Sequence, residues 1–338
     1  MRLTRVPQDP PPVRPPEVVA TIGKFDGVHR GHRVLIGRVV ERAAQLGVQS
    51  AVVTFDPHPT RVLRPHVPLH LLSTVADRAE LCEQLGVDHV LVWRFDRQTQ
   101  HTSAEQFLEQ LNQRVRVRRL VHGPGFAIGY RRQGTAAVLA EIGGWLGFDV
   151  EEVAPVATER SHGGSSHQAP DGQLVTSTAI RAMVEAGQVQ RAAQALARDP
   201  ALTGTVVEGE KVGRTLGFPT ANLHVDEPLA IPADGVYAAW AELAPYTPRA
   251  QRLPAAVSIG TRPQFGGERR VVEAFLLDFA GNLYGRRLRL HFVARLRGQQ
   301  RFDNVPALVA QMRQDVDVTR RLLQADQADE SAELAADG

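Results

Sequence analysis

Residues 17–32 read EVVATIGKFDGVHRGH, and this stretch decides the class of fold. Residues 17–22 are apolar and rich in β-branched side chains, the pattern of a short buried strand. GKFDGVHRGH then turns the chain. Helical spacing follows from His32 to Gly47, with Val34, Leu35, Val39 and Leu46 expected on one side. The same alternation continues downstream. SAVVTF (50–55), DHVLVW (88–93), RRLVHG (118–123) and FDVEEV (148–153) read as strands, and ADRAELCEQLG (76–86), SAEQFLEQL (103–111) and GTAAVLAEIGGWLG (134–147) as helices. Strand and helix in strict turn predict a parallel sheet with helices on both faces, the doubly wound α/β class. Ligands of such sheets sit beyond the carboxyl ends of the strands, where GKFDGVHRGH lies.

The pattern changes at both ends of this region. Residues 1–16, MRLTRVPQDPPPVRPP, read as a disordered, proline-rich arm. Residues 157–174 are polar and read as a loop. TSTAIRAMVEAG (176–187) reads as a short helix and VQRAAQALARDP (189–200) as a helical connector. After Pro200 short strands separated by turn residues predict an antiparallel β-barrel, closed by a helix over 306–323. The expected organisation is an arm at 1–16, an α/β domain at 17–188, a linker at 189–200, a barrel domain at 201–325 and an acidic tail at 326–338.

Composition sets outer bounds. A chain of 338 residues suggests two domains of about 150 each. Thirty-nine Lys and Arg stand against 37 Asp and Glu, a net charge of +2, which argues against a dedicated nucleic-acid binder. One cysteine, Cys82, excludes a disulfide framework and a cysteine-built zinc site, and its apolar neighbours make it a packing residue. No apolar run reaches the ~18 residues of a membrane span, and no signal-peptide core is present. The expectation is a cytoplasmic protein, monomeric or weakly self-associating, without nucleic-acid or membrane partners.

Three constellations can carry chemistry. Gly23, Phe25, Asp26, Gly27, His29, Gly31 and His32 join a strand to a helix. A helix N-terminus offers unpaired N–H groups to phosphate, and His29 and His32 share a face at a spacing of three. The second is Thr176, Ser177, Thr178 and Arg181; alone it reads as a helix cap, and beside the first it suits a clamp on a phosphate chain. The third is GEKVGRTLGFPTAN (209–222); alone it reads as a turn shaped by Pro219 and Asn222, and as a kinase site its glycines suit a chain wrapping a nucleotide while Thr220 and Asn222 offer hard oxygen ligands for Mg²⁺. It lacks the G-K-[ST] ending of a P-loop. Glu273, inside the apolar strand VVEAFLLDF, reads either as a candidate general base, since a buried carboxylate is costly without a task, or as an outward-facing residue on a solvated sheet face. Asp56, His58, His162 and His167 have no metal-site spacing.

GKFDGVHRGH together with TSTAIR resembles the HxGH nucleotidyltransferases, specifically the adenylyltransferase half of bacterial bifunctional riboflavin kinase/FAD synthetases. TFDPHPTRVL (54–63) is similar to that family's Phe-Glu/Asp-Pro-His-Pro segment. VHGPGFAIGYRRQG (121–134) occupies the place of its flavin-side loop, with Gly123, Phe126 and Gly129. Past residue 200, GFPTAN, SIGTRPQF, VVEAFLLDF and LRGQQRF follow in the family's order, and the resemblance covers about residues 17–325.

The resemblance implies two reactions: phosphorylation of riboflavin to FMN by ATP, and adenylylation of FMN to FAD with release of pyrophosphate, both using Mg²⁺. It implies a nucleotide site of Gly209, Lys211, Gly213, Gly217, Pro219, Thr220 and Asn222, with Thr220 and Asn222 at the metal and Glu273 as base toward the ribityl 5′-hydroxyl. Arg297 is a candidate flavin contact. His29 and His32 are implied at the α-phosphate; Gly23, Phe25, Asp26, Gly31, Ser177, Thr178 and Arg181 complete that ATP site.

The chain departs from the family's pattern at several positions. Lys24 replaces Asn, Gly125 an acidic residue or Asn, Thr176 Ser, Ser258 Asn and Gln264 Thr. Lys24 and Gly125 leave open a kinase with a degenerate N-terminal domain. A flavin-binding protein without catalysis and a tRNA-directed nucleotidyl enzyme are further alternatives, which PTAN with Glu273 and the near-neutral charge respectively oppose.

Overall fold

A computed structural model of the chain describes residues 1–154, 175–210, 212–264 and 267–336. The loop at 157–174, with His162 and His167, and Lys211 lie outside the described residues. The chain divides into two compact units: Met1–Leu69 with Val75–Ser177, and His70–Thr74 with Thr178–Gly338.

The first unit runs β1 (Arg2–Val6), β2 (Glu17–Ile22), α1 (Arg30–Leu46), β3 (Gln49–Asp56), α2 (Pro59–Leu63), α3 (Val75–Gln84), β4 (His89–Arg94), α4 (Arg97–His101), α5 (Ala104–Asn112), β5 (Arg116–His122), α6 (Ala136–Leu146) and β6 (Asp149–Glu152). Among the described residues these strands form one six-stranded sheet in the order β1-β4-β3-β2-β5-β6. All its pairings are parallel. Phe107, Leu108, Leu111, Leu139 and Ile142 from α5 and α6 cover one face, against Ile22, Val53 and Leu91. Ile36 of α1 with Leu81 and Cys82 of α3 covers Val52, Val90 and Val92 on the other. Burial pushes the Cys82 thiol up to about 12, in keeping with a packing role.

Two expectations need correction. The first residues of the proline-rich arm form β1, which pairs with β4 from Arg2↔His89 to Val6↔Trp93 and buries Val6. The prolines begin at residue 7, so RLTRV before them keeps the N–H groups an edge strand needs. The buried stripe of α1 is Ile36, Val39 and Ala43, while Val34 and Leu46 are exposed.

From Thr178 the second unit takes in the rest of α7 (Ser177–Glu185) and α8 (Val189–Leu196), which the sequence reads as domain end and linker. There follow β7 (Ala201–Val207), α9 (Val212–Thr215), β8 (Ala221–His224), β9 (Gly235–Leu243), β10 (Gln251–Gln264), β11 (Gly267–Leu276), β12 (Arg287–Arg297) and α10 (Val305–Ala336). The strands close into an antiparallel barrel in the order β10-β11-β8-β7-β12-β9. Leu202, Val257, Val272, Ala274, Leu288, Leu290 and Phe292 are buried in it. Helix α10 runs past residue 325 into the expected tail.

Residues His70–Thr74 belong to this second unit. Leu71 bridges Leu229: its N–H donates to Pro228 O at 2.8 Å, and its carbonyl accepts from Ala230 N at 2.8 Å. The hydroxyls of Thr74 and Tyr246 lie 3.4 Å apart.

Candidate functional sites

Strand order places the first site. β2 is followed in sequence by its neighbour β3 on one side and flanked by β5 on the other, so connections diverge there. This is the switch point at which a crevice opens beyond the carboxyl ends of the strands. GKFDGVHRGH leaves β2, DPHP leaves β3 and the loop from Gly123 leaves β5. Three separately identified motifs thus meet at one edge of three adjacent strands.

The turn after β2 is tightly determined. Gly23 N–H donates to Val53 O at 3.0 Å, and a Cβ at Gly23 would fall 2.8 Å from the Phe25 ring. Phe25 (φ 48°) and Val28 (φ 39°) both adopt the left-handed region, as does Gly27. Such conformations in non-glycine residues cost about 1–3 kcal/mol each and persist where neighbours over-determine them. Asp26 is buried, and its carbonyl accepts from Ser177 Oγ at 2.9 Å. Thr178 and Arg181 follow on α7, among residues of the second unit.

His29 caps α1 from an extended backbone, its Nδ1 accepting from His32 N–H at 3.4 Å. The two imidazoles stack with centroids 3.6 Å apart and planes at 17°, and Phe25 meets His32 edge-on at 5.1 Å. Gly31 between them leaves a Cβ position 3.4 Å from the His29 ring. Burial, and then the neighbouring His29, hold His32 well below the ordinary histidine range. Among the described residues its Nδ1 is a buried atom with no hydrogen-bond partner. A neutral, rigidly stacked imidazole is a hydrogen-bond donor set before charge develops, which is what stabilisation of a phosphoryl transition state requires.

The structure accounts for two of the departures, Lys24 and Gly125. Lys24 holds the turn through its carbonyl, which accepts from Thr54 Oγ1 at 3.0 Å and Arg78 Nη1 at 2.9 Å, bonds indifferent to the side chain at 24. Gly125 has φ 64°, a conformation that Asn and Asp also adopt more readily than other residues. In the same loop Phe126 stacks on His122 at 5.4 Å, and Arg132 Nη2 donates to Gly125 O at 2.8 Å. Gly129 (φ 76°) packs so closely on α5 that a Cβ there would fall 2.5 Å from Ala104 N. His58 caps α2, its Nδ1 accepting from Thr60 N–H at 3.2 Å. Arg78, absent from the sequence reading, carries a signal after all: it is a cation on the buried stripe of α3, between Val75 and Cys82.

The second site lies on the outer face of the barrel. Glu273 stands in register with Asn222 on β8 and with Ser258 on β10. Its neighbours Val272 and Ala274 point into the core, and Glu273 is half-buried on the opposite side. The premise of a fully buried carboxylate is corrected accordingly: the period of two turns it out of the core. Asn222 packs against the loop after β7, its side-chain atoms 2.2–2.7 Å from where a Cβ on Gly209 would be. Gly213 approaches Phe218 O, and Thr220 Oγ1 lies 3.3 Å from its Cβ position. Gly217 (φ 85°) ends this turn ahead of Pro219. Phe218 meets Phe275 edge-on at 5.3 Å, one strand repeat from Glu273. Ser258 Oγ accepts from Gln299 Nε2 at 3.2 Å, a partner missed in the sequence.

These groups suit Mg²⁺. The donors are a hydroxyl and an amide with a carboxylate on the next strand, and Mg²⁺ takes few protein ligands beside water and phosphate. Among the described residues no group of three or more His, Cys, Asp or Glu could hold a metal by itself. Arg297 is no unengaged surface residue: it forms a bidentate ion pair with Asp315 of α10 at 2.7 and 3.0 Å.

Comparison with known proteins bears on both sites. Residues 12–167 match the FAD synthetase family and residues 196–323 the riboflavin kinase family. The bifunctional riboflavin kinase/FMN adenylyltransferase of Pseudomonas fluorescens is 36% identical over 306 residues, 90% of this chain and 92% of that protein. Its Escherichia coli K12 counterpart is 34% identical over 298 residues, covering 88% and 90%. A crystal structure described as a macrolide-efflux protein from Streptococcus pneumoniae shares 28% identity at a TM-score of 0.80, covering 94% of this chain and 98% of that one. Among the described residues no helix is long and apolar enough to cross a membrane.

Proposed function

Because this chain belongs to the bifunctional riboflavin kinase/FMN adenylyltransferase family, we infer that it converts riboflavin to FMN and FMN to FAD, with ATP as co-substrate of both steps. The match of residues 12–167 to FAD synthetases favours this over a kinase with a retired first domain.

In the barrel unit, Glu273 accepts the proton of the ribityl 5′-hydroxyl as its oxygen attacks the γ-phosphorus of ATP, and ADP leaves. Thr220 and Asn222 would hold Mg²⁺ with the nucleotide phosphates; Gly209, Gly213, Gly217 and Pro219 form the wall around them. Bound there, the metal neutralises phosphate charge. Positioning and electrostatics supply most of the acceleration. Arg297, held by Asp315, orients the adjoining chain toward the flavin.

In the α/β unit, a phosphate oxygen of FMN attacks the α-phosphorus of ATP, forming the pyrophosphate bond of FAD and expelling pyrophosphate. His29 and His32 donate to the α-phosphate as charge builds, and the helix N-terminus behind them adds its own N–H groups. Gly23, Phe25, Asp26 and Gly31 shape this pocket. Ser177, bonded to the Asp26 carbonyl, engages the phosphates beyond the α-phosphate, and Gly123, Phe126 and Gly129 form the flavin side. The reactions are those of a cytoplasmic enzyme acting as a monomer or weak oligomer on small molecules.

The observation that supports the assignment best is the register pairing of Glu273 with Asn222, which sets a base beside a metal ligand. The test is chromatography of products from purified protein with ATP and Mg²⁺, fed riboflavin or FMN. FAD from both feeds is expected. FMN from riboflavin without FAD from either would leave the kinase alone.

A further inference from the structure

Among the described residues of the first unit Arg78 is a buried cation, and its Nη1 reaches the end of β3 and the turn after β2. Nη1 donates to Thr54 Oγ1 at 2.7 Å, to Lys24 O at 2.9 Å and to Phe55 O at 3.3 Å. Thr54 Oγ1 in turn donates to Lys24 O at 3.0 Å. The guanidinium, the hydroxyl and the carbonyl thus close a triangle joining α3, the end of β3 and the turn after β2. The residue it fixes precedes the left-handed Phe25, Gly27 and Val28. A β-branched residue such as Val28 leaves that region unless held in it. A charge-assisted bond to a carbonyl is stronger than a neutral one, and a buried cation would be costly without such partners.

We propose that Arg78, with Thr54, is the positioning residue of the adenylylation site, clamping Lys24 O so that the turn and the His29–His32 stack keep the geometry that receives the α-phosphate. The proposal rests on the reading of the first unit as an FMN adenylyltransferase. Arg78 touches no reacting atom; it acts through the backbone of residues 24–28. Displacement of a catalytic group by about an ångström costs on the order of a hundredfold in rate.

The test uses the full chain and the variants Arg78→Met, Arg78→Lys, Thr54→Val and Thr54→Ser. Two readouts are taken: kcat and KM for FAD formation from FMN, and amide hydrogen exchange over residues 23–28 against exchange in β2 and β3. In Arg78→Met, kcat is expected to fall about a hundredfold with KM for FMN within twofold. Exchange over 23–28 accelerates while the strands stay protected, and riboflavin phosphorylation is unchanged. Thr54→Val follows in the same direction, Thr54→Ser stays close to wild type, and Arg78→Lys regains part of the rate. A wild-type kcat in folded Arg78→Met, or a loss shared equally by strand protection and rate, overturns the proposal. Unaltered exchange over 23–28 in that variant overturns the clamp whatever the enzymatic outcome. A wild-type chain that forms no FAD refutes the adenylyltransferase reading instead, and exchange still decides the clamp.

Discussion

The imidazole of His32 lies flat against that of His29, 3.6 Å between centroids, on the first turn of α1. Burial penalises a charged imidazole there, and a cation on His29 at that distance would add repulsion, so His32 stays neutral in the folded chain below the ordinary 6.5. The unfolded chain binds a proton there as pH falls through 6.5, and the native one does not. Stability contributed by this linkage is therefore complete above 6.5 and is lost as pH drops from 6.5 toward the depressed native value. His32→Gln should flatten this part of the stability profile. Denaturant melts of both proteins between pH 5 and 8 measure it; parallel profiles would contradict the account.

The two activities should separate by single substitutions. His32→Ala is expected to lower FAD formation by about 10²–10³-fold and leave FMN formation intact. Glu273→Gln should lower FMN formation by about 10²–10⁴-fold with FAD formation from FMN preserved. Steady-state assays with each flavin check this, and a folded variant that lost both would refute the division.

Gly209 meets Asn222 through the end of a side chain. A methyl there displaces the amide without moving backbone, so Gly209→Ala should change stability by less than about 1 kcal/mol. Riboflavin phosphorylation should nevertheless fall by about a hundredfold, because a metal ligand has shifted. Calorimetry and kinase assays on one preparation decide the point; unimpaired phosphorylation would separate Asn222 from the nucleotide.

Arg297 and Asp315 are both largely buried, with side chains 16% and 9% exposed. Removing one partner of such a pair costs about 3–5 kcal/mol, because the other charge stays buried. Asp315→Ala should show that loss in urea melts of the barrel unit, with a raised KM for riboflavin as Arg297 loses its orientation. A KM equal to wild type would confine Arg297 to stapling α10 to β12.

Most of the fold is legible in the sequence because hydrophobic period and turn residues agree along it. EVVATIG, SAVVTF, DHVLVW and RRLVHG become adjacent parallel strands, and the change after Pro200 marks the barrel. The local chemistry of the turn is equally legible, since His29, Gly31 and His32 are neighbours in sequence. What escapes is assembled from a distance. β1 needs β4, residues 87 apart in register, to become a strand. Arg78 is one residue in a helical stripe until Lys24 O and Thr54 are brought to it, and Glu273 faces outward by a parity that only strand pairing fixes. Val34 and Leu46 mislead because they count as apolar in a pattern that centres on Ile36.

The segment His70–Thr74 has a consequence for the order in which the chain is made. Its backbone partners, Pro228 and Ala230, are synthesised more than 150 residues later. A nascent chain that has finished its parallel sheet still displays Leu71 with both main-chain groups open. A fragment started at residue 178 meets the converse problem, since it lacks the Leu71 N–H and carbonyl that Pro228 and Ala230 bond. The barrel unit is therefore discontinuous along the gene, and no single cut yields it whole.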